Sequence, residues 1–508
     1  MVLGRGISSE NFSLFLGTKK TIMIDREMVL GEIQSRIDRS RWSSACGTYG
    51  PCKVKALMLS DVLYDLFAHS VFGWYCEDYY CFNGRIYEKM DQDLLKWLVT
   101  ELLRRECVDA GIRMNLSNFL TSVKMAIKME CELKPRFDLR AFSNGVVDLK
   151  TGDIKPFDPQ WHVVYEHNYK FDKDAECPIW RGFLQAVLPE KTSRIILQMF
   201  MGLLVSDRND IDEPLCLALY GKSYGKGVVN ELLRNLCGAD NVSAESIESI
   251  LKDGELGLKN RTRLMGKIVN LCSVLDDRFV IAHEEQFQNY LRGRNMKAKF
   301  SRGIDFTLPS VPWQVFNFDT FPVDDSQGGG VFRKFLYVIF NEYIPDNDRN
   351  TSIGTELRGE LPGILNWCIR GAKYAKIHKY KFPSSTNTER SRIESMGQTD
   401  SFKAWMLFVK PSTKPRMEGD EFRWCRIMHL HCHYKRFCKA NDFEPISIVA
   451  FGKAIRKYGF VGANARRVNN GAEIKVYGFS EKFEIDGEVK LSKWRVMDDA
   501  EFDDITEC

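Results

Sequence analysis

The chain lacks any apolar run approaching the ~20 residues that a bilayer-spanning helix requires, so no membrane span is expected in its 508 residues. It also lacks charge imbalance, since 72 basic and 68 acidic side chains leave a formal net charge of +4. Whole-chain electrostatics therefore announce no nucleic-acid partner, and only local clusters of cations can carry such a reading. The 15 cysteines have no repeating spacing, and no secretory leader precedes them. Reduced thiols in a soluble, intracellular (cytoplasmic) protein are expected rather than a disulfide framework. Before residue 130 no D-x-D acid pair comes with a suitable histidine for two-metal nucleotide transfer, so polymerising activity is not expected. What remains, 44% hydrophobic and 28% charged residues, is ordinary core-forming material, enough for about three domains.

The most informative stretch begins at Pro214. An apolar run (Leu215, Leu217, Ala218, Leu219) enters Gly221-Lys-Ser-Tyr-Gly-Lys-Gly227 and then a predicted helix from Val228. Strand, glycine-rich loop with lysine and helix form the layout of a nucleoside-triphosphate P-loop, whose backbone N–H groups and lysine face phosphates. Gly221, Ser223, Gly225, Lys226 and Gly227 are the candidate nucleotide-binding residues. The motif departs from G-x-x-x-x-G-K-[ST] in two ways. Only three residues separate Gly221 from Gly225, and Gly227 stands where a Mg²⁺-holding hydroxyl belongs. Ser223 is the nearest replacement hydroxyl.

Further strands follow at the spacing of an α/β nucleotide-binding core. Lys267–Asp277 reads as a buried strand ending in Asp276 and Asp277. Acids at that place would hold Mg²⁺ and polarise an attacking water; a solvated acidic turn is the bland alternative. Trp313–Asn317 reads as a third strand, whose tip amide Asn317 would orient the water or contact the γ-phosphate; taken alone, such an asparagine is more often a turn former. Arg333, after Gly328-Gly-Gly, would stabilise phosphoryl charge across a subunit boundary; an exposed strand-edge arginine is the bland alternative. Arg292, Arg294, Lys297, Lys299 and Arg302, with Phe300 among them, suit a hairpin that tracks a phosphate backbone, against the alternative of a solvated basic loop. His429, His431, Cys432 and His433, near Cys425 and Cys438, have partly metal-compatible spacing, but a complete tetrahedral set is missing, and core packing is the simpler reading.

Upstream, residues 26–135 read as mostly helical, interrupted by aromatic strands at Trp74-Tyr75 and Tyr79–Phe82 with an Asn83-Gly84 corner. Asn144–Pro156 reads as two short strands cornered at Thr151-Gly152. Residues 178–207 return to helix, and Pro383–Thr388 reads as a linker. Acids cluster from Asp498 to Glu507, as in a solvated tail.

Taken in order, these segments resemble the phage and plasmid primase–helicases of superfamily 3, related to the poxvirus primase–helicase. Asn144–Asp153 is similar to the family's pre-helicase signature, and Pro178-Ile-Trp180 with Phe183-Leu184 to the helix leading into the motor. Glu360–Trp367 with Gly371 is similar to the segment that follows it. Leu291-Arg-Gly293 with Lys297 and Lys299 fits the DNA-contacting hairpin. Tyr434–Cys438, Phe451–Ile455 and Tyr477-Gly-Phe479 resemble a C-terminal winged helix. The resemblance implies an α/β fold with an AAA+-like P-loop ATPase core, a helical N-terminal domain and a C-terminal winged-helix domain. It implies a ring, usually a hexamer, that translocates on single-stranded DNA or a fork using ATP and Mg²⁺. A separate primase or loading protein would act beside it, because the primase domain of longer relatives is expected to be absent. By carry-over Lys226 is the P-loop lysine, Asp276 and Asp277 lie nearest the Walker-B position, Asn317 is the sensor and Arg333 the arginine finger. Val274 stands where the family commonly has a glutamate, and Arg333-Lys334 replaces the usual Arg-Arg pair.

The expected division is a flexible start (1–25), a helical and β-hairpin pre-helicase domain (26–175), the motor with its helical extension (176–382), a linker (383–399), the winged helix (400–482) and an acidic tail (483–508). The expected function is a ring-forming, ATP-dependent DNA helicase in the replication of a phage, plasmid or other mobile element. The alternative is a catalytically degenerate DNA-binding initiator or scaffold that retains the fold.

Overall fold

A computed structural model describes residues 26–36, 71–106, 116–205, 215–221, 225–274, 283–292, 296–300, 305–308, 311–318, 335–340, 342, 344–345, 349–409, 423–457, 462–466 and 473–479. The expected flexible start and acidic tail lie outside these residues. Among the described residues no helix is long and apolar enough to cross a membrane.

The first unit sets helices α1 (Arg26–Arg36), α2 (Gln92–Glu106) and α3 (Leu116–Glu130) around an antiparallel sheet of β1 (Phe72–Tyr75), β2 (Asp78–Phe82) and β3 (Tyr87–Lys89). Leu94, Leu95, Leu98, Val123 and Ile127, the helical repeat visible in the sequence, are buried with Phe72, Phe82 and Tyr87. At the β2–β3 corner Asn83 Oδ1 accepts the backbone N–H groups of Arg85 and Ile86 at 3.0 and 2.9 Å. Gly84 there takes a φ of 91°, which is why Asn-Gly marks such a corner. A second sheet, β4 (Leu139–Phe142), β5 (Gly145–Asp148) and β6 (Ile154–Lys155), continues the first unit.

Two buried side chains, the Arg140 guanidinium and the neutral His167 imidazole, join this unit to the next. Arg140 donates from Nη2 to the Leu204 carbonyl at 3.0 Å and from Nε to the Phe137 carbonyl at 2.6 Å. Its guanidinium also lies 4.7 Å from the centre of the Tyr165 ring, an arrangement that suits a weakly hydrated planar cation. His167 stacks on Phe142 at 4.8 Å, and its Nδ1–H donates to the Leu236 carbonyl at 2.8 Å.

The central unit begins with α4 (Pro178–Val187) and α5 (Lys191–Leu203), two helices where the sequence suggested one continuous stretch. Pro189 separates them, as a residue that cannot donate to a helix ladder will. The Glu360 carboxylate accepts the otherwise orphaned N–H groups of Ile179 and Trp180 at the start of α4, both at 2.9 Å. Then come β7 (Cys216–Tyr220), α6 (Lys226–Cys237), β8 (Val242–Ser243), α7 (Ile247–Leu251), α8 (Gly254–Thr262), β9 (Val269–Val274) and α9 (Glu284–Leu291). The hairpin β10 (Lys297–Ala298) and β11 (Phe306–Thr307) precedes β12 (Trp313–Phe318), β13 (Phe335–Ile339), α10 (Ile353–Gly359) and α11 (Leu361–Ile377). Five strands form one parallel sheet in the order β13-β7-β12-β9-β8.

Helices cover both faces of such a sheet, so its strands are apolar throughout; Cys216, Leu217, Ala218 and Leu219 are all fully buried. Two amides are the exceptions, and they pin the register. Asn270 accepts from Ser243 Oγ and the Glu245 N–H and donates to the Glu245 carbonyl and Gln314 Oε1, at 2.8–3.0 Å. Every hydrogen-bonding capacity of that buried amide is used, so a slipped pairing of β9 would leave polar atoms stranded. On the outer layer α5 and α11 approach so closely that a Cβ on Gly371 would sit 2.1 Å from the Gln198 carbonyl oxygen.

The last unit contains α12 (Thr386–Thr399), α13 (Ser401–Val409), β14 (Arg423–Arg426), α14 (Ile427–Ala440), α15 (Ile448–Lys457), β15 (Gly462–Arg466) and β16 (Glu473–Phe479). Its antiparallel sheet runs β14-β16-β15, and Phe402, Trp405, Tyr434 and Phe451 fill its core. The linker expected over 383–399 is corrected here, because most of it is α12. Its Ser/Thr-rich composition imitates a loop, yet Ser385 is a helix N-cap that accepts the Thr388 N–H at 3.2 Å. The same serine donates to Glu190 at 2.6 Å, and Glu190 also accepts the Thr386 N–H at 2.9 Å, so the segment is tied to the central unit.

Burial pushes the His167 imidazole down from its usual 6.5 to about 3. Between those values the unfolded chain takes up a proton that the folded chain refuses, so stability falls as pH drops through that window. Burial of His433, pushed down to about 4, acts in the same direction. Urea midpoints measured from pH 7 to pH 4 should decrease, and His167→Gln should flatten the decline. An unchanged slope in that variant would remove His167 as a source of the acid sensitivity.

Candidate functional site

The chain leaves the C-terminal end of β7 and enters α6 between its two sheet neighbours, β12 and β13. β7 connects through α6 toward the β8 edge, whereas β13 lies on its other side, so the strand order reverses beside this loop. Crevices at such reversals are where open α/β sheets take ligands. Gly221 and Gly225 bracket the turn with φ values of 124° and 128°. A Cβ on Gly221 would lie 2.2 Å from the Phe340 carbonyl oxygen, and one on Gly225 would lie 2.6 Å from the Phe340 ring. Both positions therefore require glycine for backbone conformation and for space. Gly225 caps α6 without a side-chain hydrogen bond of its own, and the N–H groups of a helix's first turn are suited to anions.

Lys226 opens α6, half-buried, and its Nζ donates to the Phe318 carbonyl at the end of β12 at 3.1 Å. One residue earlier on β12, Asn317 pairs in register with Leu219 of β7 and Val274 of β9. Its Nδ2 donates to the Cys272 carbonyl at 2.9 Å, and its Oδ1 accepts from Asn230 Nδ2 at 3.0 Å. Lys226 and Asn317, about ninety residues apart in the chain, are thus brought to one end of the sheet because β7 and β12 are neighbours. Asn230 was not legible from sequence. It carries no motif, and only its position one helical turn beyond Lys226 could have drawn attention to it.

The other sequence-predicted residues separate into several groups. Gly227 is exposed, and a Cβ there would meet no atom within 4 Å. Ser223, Asp276, Asp277, Arg294, Arg302 and Arg333 lie outside the described residues. Arg292 and Lys297 are exposed on the basic segment. Lys299 is engaged, with Glu255 at 3.6 Å and Asp305 at 3.9 Å. Phe300 stacks on Phe306 of the hairpin at 5.3 Å.

A cleft of about 570 Å³ lies elsewhere, between the first unit and the central unit, lined among others by Tyr80, Lys89, Glu166, Asp240, Arg263 and Phe300. It includes no residue of the glycine loop. Size alone therefore does not locate the chemistry.

Residues 63–189 match the family described as D5 N terminal like. The apo A form of the NrS-1 C terminal region is similar in structure, with 12% identity over 82% of this chain and 98% of that one and a TM-score of 0.46. A second apo structure of the NrS-1 C terminal region gives 9% identity, the same coverages and a TM-score of 0.41. No curated protein matches the chain.

On α14 the side chains of His431 and His433 are engaged in packing contacts, while the side chain of His429 lies outside those described. His433 Nδ1 accepts from the Trp405 indole N–H at 2.8 Å, and His431 Nε2 bonds the Ile446 carbonyl at 2.9 Å. Cys438 is buried in the core formed by Phe402, Trp405 and Tyr434. His431 and His433 are thus committed to different partners on α14.

Substitutions at the three loop glycines should separate cleanly. Gly227→Thr adds a side chain into open space and should leave the melting temperature within a degree or two, a shift below about 0.5 kcal/mol. Gly221→Ala and Gly225→Ala should each cost about 1–3 kcal/mol from strain and overpacking. Thermal unfolding of the three variants checks this, and equal costs at all three positions would contradict it.

Proposed function

We propose that the chain is a ring-forming, ATP-dependent DNA helicase acting in the replication of a phage, plasmid or other mobile element. The observation that carries this reading is the pairing of Lys226 at the open start of α6 with Asn317 on the adjoining β12. A phosphate chain laid on the Gly221–Gly227 loop would meet the backbone N–H groups of a helix start and a lysine, with a strand-tip amide beside them. The strand order β13-β7-β12-β9-β8 supports an AAA+-like core, because the loop strand lies between the fourth and fifth strands of the sheet. These residues fit the phosphates of ATP.

Mg²⁺, when bound, would neutralise phosphate charge, and Asp276 and Asp277, just beyond the end of β9, are the residues proposed to hold it. Lys226 would leave the Phe318 carbonyl to contact the phosphates, and Asn317 would orient the attacking water. Arg333 of a neighbouring subunit would stabilise the charge that develops.

DNA contact is assigned to the basic segment Arg292–Arg302 and to the C-terminal unit. The order α13, β14, α14, α15, β15, β16 supports a winged helix. Lys435, Arg436 and Lys439 on α14 and Lys453, Arg456 and Lys457 on α15 are unaccompanied by any acid on either helix, which favours a polyanionic partner.

Gly227 and Val274 favour a second reading, a DNA-binding initiator or scaffold that does not hydrolyse ATP. Steady-state ATP turnover with Mg²⁺ and single-stranded DNA, together with unwinding of a forked substrate, distinguishes the two. The helicase should show both activities, and Lys226→Ala should reduce each by about 100-fold or more. Turnover retained in Lys226→Ala would sink the motor assignment. Tight DNA binding without turnover in the unmodified chain would favour the scaffold.

A further inference from the structure

Asn230 is an unexpected residue at its position. Its neighbours on α6, Val229, Leu232 and Leu233, are buried aliphatics. Asn230 is half-buried, and its Oδ1 is buried without a hydrogen-bond partner. An orphaned acceptor of this kind costs about 1–3 kcal/mol, which a leucine of similar volume would avoid. Stability therefore does not account for the residue type.

Its other amide atom has a defined task. Nδ2 donates to Asn317 Oδ1 at 3.0 Å, while Asn317 Nδ2 donates to the Cys272 carbonyl at 2.9 Å. The β9–β12 register shifts between Val315 and Asn317, and the Cys272 carbonyl beside that irregularity is taken by a side chain. Such irregularities re-aim side chains near functional sites. Asn317 is consequently held from two elements, with its amide plane fixed and its second N–H left to donate in one direction.

Asn230 also lies on the same helix face as Lys226, one turn away. Lys226 reaches the Phe318 carbonyl and Asn230 reaches the Asn317 amide, so α6 is fastened to consecutive residues of β12. Any shift of the helix that accompanies release of Lys226 from Phe318 is transmitted to Asn317.

We infer that Asn230 is a positioning residue that orients the Asn317 amide for the terminal phosphate of a nucleoside triphosphate. The inference rests on the nucleotide reading of the Lys226 loop. A group fixed in advance loses no orientation entropy when the phosphate arrives, so the contribution falls on triphosphate rather than diphosphate.

Calorimetric titration of the full chain with ATP and with ADP, each with Mg²⁺, tests it. Asn230→Leu should lower the preference for ATP over ADP roughly tenfold, about the worth of one well-placed hydrogen bond, with ADP affinity unchanged. Its melting temperature should be equal to or above that of the unmodified chain. Asn230→Asp, similar in size but unable to donate, should show the same loss. In an Asn317→Ala background the Asn230→Leu effect should vanish, because the two residues act as one unit. A preference for ATP that survives Asn230→Leu, or losses that simply add in the double variant, would overturn the inference while leaving the nucleotide site intact. If the unmodified chain binds neither nucleotide, the Lys226 reading itself fails and the inference goes with it.

Discussion

The geometry of the candidate site depends on one constraint, the passage of the chain from β7 into α6 beside Phe340. Phe340 donates its N–H to the Tyr220 carbonyl at 2.8 Å and presents its own carbonyl and ring to the turn. Backbone can pass only where Cβ atoms are missing, at Gly221 and Gly225. That tight turn directs α6 back across the sheet and brings Lys226 and Asn230 over the tip of β12. A wider loop would move the helix start outward and break both contacts. The glycines are therefore steric requirements of the fold before they are elements of any motif.

The sheet beneath the turn is held in register by buried polarity as well as by apolar packing. Asn270 and Gln314 lie in the interior of adjacent strands, and both are almost fully buried. Because Asn270 is saturated with partners from β8, the following loop and β12, its polarity specifies one pairing at little cost in stability. Farther up the same two strands the ladder is irregular, and there the Asn317 amide takes over a backbone carbonyl. The contrast is local. A fully satisfied amide gives register in the middle of the sheet, while an incompletely satisfied pair, Asn230 and Asn317, occurs only at the strand tips.

Arg140 and His167 join the first unit to the central one through backbone carbonyls, Leu204 beyond α5 and Leu236 near the end of α6. A buried cation held by carbonyls and an aromatic face has no counter-charge to exchange, so this junction responds to burial rather than to salt. Because α6 begins at Lys226 and its last turn carries Leu236, one helix touches both the glycine loop and the first unit. The C-terminal unit is attached differently, through Glu190, Ser193 and Ser385 around the cap of α12.

Much of the framework was legible in the sequence because its physical signals are local. The apolar run Leu215–Leu219 and the segment Trp313–Asn317 read as strands, since the strands of a parallel sheet covered on both faces are mostly apolar. Asn83-Gly84 read as a corner because its requirements are met within three residues. Lys226 and Asn317 could be singled out from the loop motif and the strand-tip position. The segment 383–399 was misread because Ser and Thr serve both loops and helix caps, and only the carboxylate of Glu190 and the packing of α12 against α13 decide between them. The sequence by itself determined where strands end, where glycine is indispensable and which side chains could meet phosphate. Only the tertiary structure decided that β7 lies between β12 and β13, that Asn230 grips Asn317, and that His431 and His433 are spent on separate packing contacts. Those outcomes depend on which distant elements become neighbours, and neighbourhood is set by how the whole sheet and its helices bury their surfaces together rather than by any stretch of chain alone.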